Sequence, residues 1–130
     1  MKDLHIPPDP HGRTPLIDFK LSGEMVIEGR SNLENVIEHY QPAIEWINNR
    51  LTNGCPKELK LTIKLEYFNT RSSKMLLTLL KSLETIHLRG KSKINVTWLY
   101  SKDDADMLEA GNDYQSVVKL PFNIAILSAN

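Results

Sequence analysis

Apolar residues occupy every second place from Leu59 to Leu65, with Lys60, Thr62, Lys64 and Glu66 between and after them. A period of two predicts a strand that buries one face and leaves the other wet. The run continues through Tyr67-Phe68 into Asn69-Thr70-Arg71-Ser72-Ser73-Lys74, and there the period changes. Leu76, Leu79, Leu80, Leu83 and His87 recur every three or four places. That spacing predicts a helix from about Ser72 to Leu88. Arg89-Gly90-Lys91 closes it, with cations near the negative end of the helix dipole. Thr70 therefore falls where a strand ends and a helix begins, a place where free N–H groups and the helix dipole favour an anion.

The rest of the chain follows the same two periods. Ile94 to Tyr100 alternates like the first strand. Leu16–Leu21 and Met25–Ile27 flank Ser22-Gly23-Glu24 and read as a hairpin, with Gly29 ending its second strand. Ser31-Asn32-Leu33-Glu34 has capping-box form. The helix it predicts carries Val36, Ile37, Tyr40, Ile44, Ile47 and Leu51 on its apolar side. Pro42 lies inside and predicts a kink near Tyr40. Asn53-Gly54 ends that helix and Pro56 prevents its continuation. Ser101-Lys102-Asp103-Asp104 starts a further helix to about Tyr114, interrupted by Gly111. Phe122–Leu127 is a final strand. Residues 1–15 hold four of the seven prolines and read as an extended arm without regular structure.

One-faced strands exclude a sheet covered on both sides. The expected fold is α/β in two layers, with a mixed sheet of about five strands and helices mainly on one face. The strand–helix–strand segments require right-handed crossovers between parallel neighbours. Residues 16–130 form a single domain behind the arm.

Composition narrows the function. The chain of 130 residues carries 16 Lys and Arg against 16 Asp and Glu. A zero net charge gives no electrostatic case for nucleic acid or an anionic membrane. Cys55 is the only cysteine, so no internal disulfide can form, as expected of a cytoplasmic protein. Neither a signal-peptide run in Met1–Pro8 nor 18 consecutive apolar residues is found.

Most other features have ordinary explanations. Gly90-Lys91-Ser92 resembles the tail of a phosphate-binding loop, but Thr85 stands where the motif needs glycine and the turn joins helix to strand. Asp103, Asp104, Asp106 and Glu109 lack calcium-loop spacing and suit the first turn of a helix. His5, His11, His39 and His87 have no zinc-site pairing. Arg89, Lys91 and Lys93 read as a solvated turn. A small enzyme using Cys55 or a histidine lacks a visible partner base. No metal or cofactor is implied.

The junction holds more polar groups than one cap requires. Asn69 or Thr70 suffices as an N-cap, yet Arg71 and Lys74 stand beside three hydroxyls at the carboxyl end of a strand, where open α/β sheets place ligands. Glu66-Tyr67-Phe68-Asn69-Thr70-Arg71-Ser72-Ser73-Lys74 resembles the signature of the SiaC family of bacterial regulatory phosphoproteins. Asp3-Leu4-His5-Ile6-Pro7, Ile44-Glu45-Trp46-Ile47, Trp98-Leu99-Tyr100 and Pro121-Phe122 are similar to further parts of that family, in matching order. The resemblance implies a STAS-like fold, of the anti-anti-sigma-factor type, and a non-enzymatic switch. Its phosphothreonine falls on Thr70, and Arg71 stands where the family leads one to expect a serine. The unphosphorylated form would bind and activate a diguanylate cyclase in biofilm and aggregation control, with a dedicated kinase and phosphatase setting its state. Tyr67, Asn69, Arg71, Ser72, Ser73 and Lys74 are the candidates for partner binding or phosphate recognition. An anti-sigma-factor antagonist, which uses a phosphorylated residue at the same helix start, is the alternative.

Overall fold

A computed structural model describes residues 2–127, with the side chains of residues 51 and 52 outside the description. The elements are β1 (Leu4–Ile6), β2 (Leu16–Phe19), β3 (Glu24–Ser31), α1 (Ile37–Asn53), β4 (Glu58–Phe68), α2 (Thr70–Leu88), β5 (Lys93–Tyr100), α3 (Ala105–Val117) and β6 (Phe122–Ile126). They build one sheet in the order β1-β2-β3-β4-β5-β6. β2 runs antiparallel to both of its neighbours, β1 and β3, and β3 to β6 are parallel. Each parallel step carries one helix, and a chain that always advances in one direction puts successive right-handed crossovers on the same face. The two layers follow, with six strands instead of about five.

The alternation drives this. Ile17, Phe19, Met25, Ile27, Leu59, Leu61, Ile63, Ile94, Val96 and Trp98 are buried, as are Tyr40, Ala43, Ile47, Leu76, Leu79, Leu80, Leu83 and Ile86 from the helices. The opposite face of the sheet is wet and carries cross-strand ion pairs such as Lys64 Nζ to Glu28 Oε1 at 3.5 Å, between residues directly opposite in the β3–β4 register.

Several sequence expectations change. The sixth strand comes from the arm: Leu4–Ile6 pairs with Ile17–Phe19, and the Trp46 indole donates to the Lys2 carbonyl at 2.8 Å. Ser31 does not cap α1. It is the last residue of β3, which runs on through Gly29, and α1 begins at Ile37 behind Val36 without a side-chain cap. Ile37 is exposed, at 54%, instead of joining the core stripe. On α2, Ile86 takes the buried place expected of His87. The expected Leu51 contact lies outside the described side chains.

Gly111 does not interrupt α3, which passes through it to Val117. The Trp98 indole, fully buried and donating to the Met107 carbonyl at 2.9 Å, occupies the space a side chain would need. A Cβ on Gly111 would sit 2.5 Å from Trp98 Cδ1. Gly111→Ala should therefore destabilise the protein by about 1–3 kcal/mol of overpacking, less the ~1 kcal/mol that alanine gains in a helix. Chemical denaturation followed by Trp fluorescence would measure it, and a midpoint raised by the full ~1 kcal/mol that helix propensity alone supplies would refute the clash.

Candidate functional site

The β4–α2 junction is built by a shift in the β4 ladder. Gly29 pairs with Leu65, but the next residue, Arg30, pairs with Tyr67, so Glu66 is an extra residue. The bulge inverts the alternation beyond Leu65. Tyr67 turns outward, at 42% exposure, and Phe68 turns inward against Trp98 with ring centroids 5.9 Å apart. The Arg30 guanidinium lies over the Tyr67 ring, 5.5 Å from its centroid.

Asn69 is the N-cap of α2. Its Oδ1 accepts from the Ser72 N–H at 2.9 Å, and its Nδ2 donates to the Leu33 carbonyl at 2.8 Å. One side chain thus starts the helix and ties down the β3–α1 connection. Because Asn69 does the capping, Thr70 does not. Thr70 is the first residue of the helix and exposed, and its hydroxyl has no hydrogen-bond partner among the described residues.

Beneath this surface lies a buried hydroxyl chain. The Tyr40 hydroxyl donates to Ser31 Oγ at 2.9 Å, Ser31 Oγ lies 2.6 Å from Ser72 Oγ, and Ser72 Oγ reaches the Ser31 carbonyl at 3.2 Å. Read in that order, every hydroxyl finds an acceptor, as buried polar groups require. The same carbonyl accepts the Asn69 N–H at 3.0 Å. Burial pushes the Tyr40 phenol well up, outweighing the opposing effect of its bond to Ser31, and the Tyr114 phenol adds a lesser push in the same direction as burial. Ser72, expected as a surface candidate, is fully buried. It fastens α2 to β3 and cannot touch a docked protein. Ser73 is half-buried, and its carbonyl accepts from the Tyr114 hydroxyl at 2.8 Å. Burial pushes that phenol up to about 12.

The accessible members are therefore Tyr67, Thr70, Arg71 and Lys74, with Asn69 half-buried behind them. Two hollows flank them. Ladder pairing between β4 and β5 ends at Ile63 and Trp98, and β4 continues to Phe68. At that end a cleft of about 410 Å³ is walled by Tyr67, Phe68 and Met107 and rimmed by Glu66, Asp104 and Asp106. Asp104 also caps α3, accepting from the Met107 N–H at 3.0 Å. The second hollow, about 290 Å³, is lined by Ile37, Arg71, Lys74 and Met75. Ser31, Tyr40, Ile37 and the acidic rim escaped the sequence reading. Only Tyr40, a polar tip on an apolar helix stripe, carried a signal.

Cys55 offers no counterpart. Its thiol donates to the Arg50 carbonyl at 3.2 Å, and burial outweighs the Arg50 and Lys91 charges to push its pKa up, away from the reactive thiolate. Among the described residues, no helix is long and apolar enough to cross a membrane, and no group of three or more His, Cys, Asp or Glu gathers to hold a metal.

Comparison with known proteins gives a consistent result. An uncharacterized protein of Pseudomonas aeruginosa (strain UCBPP-PA14) is 31% identical over 126 residues, 95% of this chain and 96% of that one. The crystal structure of apo-SiaC from P. aeruginosa superposes with a TM-score of 0.85 at 30% identity, covering 96% of this chain and 99% of that one. The crystal structure of the diguanylate cyclase SiaD in complex with its activator SiaC, also from P. aeruginosa, matches at a TM-score of 0.86 and 29% identity, covering 96% of this chain and 100% of that one. The model for "SiaC family regulatory phosphoprotein" matches residues 9–127. The chain belongs to the SiaC family of regulatory phosphoproteins.

Proposed function

We propose that this protein is a phosphorylation-switched adaptor, without catalysis of its own, that binds and activates a diguanylate cyclase while Thr70 is unmodified. The observation that carries the reading is Thr70: exposed, first in α2, and with no hydrogen-bond partner for its hydroxyl among the described residues, because Asn69 has taken the capping role. The solved complex of SiaD with its activator SiaC supports the choice of partner, since that SiaC shares 29% of its residues with this chain and nearly all of its fold.

The switch needs no rearrangement. A phosphoryl group adds about −1.5 to −2 charges near neutral pH. At the start of a helix that charge is favourable, by about 0.3–1 kcal/mol per unit charge. Lys74, one turn along the same face, is a counter-ion at the (i, i+4) spacing. The free protein therefore keeps its fold when phosphorylated. In a docked interface the same group loses its water and blocks association. A separate kinase adds the group and a separate phosphatase removes it, both acting in the cytoplasm, and the output is biofilm and aggregation control.

Capture from the source organism tests this reading. Unmodified protein used as bait should recover a diguanylate cyclase, and phosphosite mapping of the native protein should find one phosphoryl group, on Thr70. Recovery of an anti-sigma-factor kinase, or a phosphate elsewhere, would overturn it in favour of the anti-sigma-factor antagonist or a different switch.

A further inference from the structure

We infer that the hollow between the first turns of α1 and α2 receives an acidic–apolar segment of the partner: an apolar side chain seated on Ile37 and Met75, with a neighbouring carboxylate paired to Arg71 and Lys74. This rests on the functional reading above and names the chemistry of the docking contact and how phosphate breaks it.

Three observations converge. Ile37 leaves 54% of its surface in water at the start of α1. It faces Met75 across a hollow of about 290 Å³, just below the ~300–1,000 Å³ of small-molecule pockets. That volume suits an inserted side chain. The other two lining residues are Arg71 and Lys74, both exposed and neither in an ion pair among the described residues. Among the described residues no carboxylate lines the hollow, and the nearby Glu38 belongs to a separate depression with Asp9 and Thr14. An apolar seat between two cations is complementary to an apolar residue beside an acid.

The position next to Thr70 supplies a mechanism. Arg71, Lys74 and Met75 share one stripe of α2, and Thr70 lies one turn before Lys74. A phosphate on Thr70 draws Lys74, and Arg71 beside it, into an intramolecular pair. The partner's carboxylate then loses its counter-ions and meets a like charge. Competition for two cations makes the modification decisive without a change of fold.

Calorimetric titration of the full-length unphosphorylated protein with the diguanylate cyclase decides the matter. Arg71→Glu with Lys74→Glu should weaken binding by at least about tenfold, as loss and reversal of interfacial charge do. Ile37→Asp should weaken it comparably, and wild-type affinity should fall as salt rises. Arg89→Glu with Lys93→Glu, at the opposite end of the sheet, should leave it unchanged. If wild type binds and the Arg71/Lys74 variant binds within about twofold of it, with helicity intact, the inference is overturned and the functional reading stands. If wild type does not bind the cyclase at all, the functional reading itself fails and takes the inference with it. Concentration-dependent self-association abolished by Ile37→Asp would assign the hollow to a second copy of this chain and overturn the inference.

Discussion

Thr70→Glu should abolish cyclase binding and leave the fold untouched. The substituted side chain is exposed, so nothing in the core moves. A carboxylate in the first turn of α2 complements the helix dipole, worth about 0.3–1 kcal/mol in favour of the folded state. The Asn69 cap and the Ser31–Ser72–Tyr40 hydroxyl chain lie beneath the site and keep their partners. Far-UV circular dichroism and the melting temperature should match wild type or rise slightly. Binding responds oppositely. By drawing Lys74 and Arg71 to itself, the new carboxylate leaves the partner's acid without a counter-ion in the closed interface, which costs about 3–5 kcal/mol, and each 1.4 kcal/mol is about tenfold in affinity. The expected loss is about two to three and a half orders of magnitude. Thr70→Val separates charge from shape, because it keeps the branched side chain and cannot be phosphorylated. It should bind like wild type and stay active in the presence of the kinase. Equal affinity for Thr70→Glu and wild type would refute the switch.

The second large effect is on stability and sits far from the switch. Gly23 turns the β2–β3 hairpin with φ +110°, a region L residues rarely adopt. Its N–H donates to the Lys20 carbonyl at 2.9 Å, and its carbonyl accepts from the Lys60 N–H at 2.8 Å. That second bond brings the turn against the start of β4. A Cβ there would collide with the Glu58 carbonyl oxygen, a backbone atom that cannot swing away. Gly23→Ala must therefore part β3 from β4 at the first rung of their parallel pairing, where Glu24 faces Lys60. Backbone strain of about 1–3 kcal/mol adds to a clash of about 1–3 kcal/mol. A loss of about 3 kcal/mol should lower the melting temperature by about 10 °C. A shift under about 3 °C would mean that the turn relaxes freely. Where the variant is still folded, it should bind the cyclase like wild type, because Gly23 contributes nothing to the α2 surface.

Much of this architecture is readable from local pattern. The alternation in β4, the change of period at Asn69 and the polar residues between them place a helix start at the carboxyl end of a strand, on the rim of the sheet, and α2 begins there. Local rules mislead where tertiary contacts override them. Ser31 and Glu34 have capping-box spacing, but the Ser31 hydroxyl is more valuable under Tyr40 and Ser72, so the strand keeps it. Gly111 weakens a helix by propensity, yet the Trp98 indole leaves room for nothing else. Tyr67 follows an unbroken period of two inward until the extra Glu66 inverts it. Ile37 reads as core, and its exposure appears only when the distance between α1 and α2 is known. Leu4–Ile6 lies among prolines that argue against a strand, and only the edge of β2 makes it one. Each miss involves a residue whose partner is distant in the chain, a relation that periodicity does not carry.

Reconstituted cyclic diguanylate synthesis tests the central claim most directly. The purified cyclase is assayed with this protein either unmodified or phosphorylated at Thr70 alone, with the phosphosite verified by mass spectrometry. Unmodified protein should raise the rate, and the phosphorylated form should leave it at the level of the cyclase by itself until phosphatase treatment restores activation. Equal activation by both forms would contradict the account.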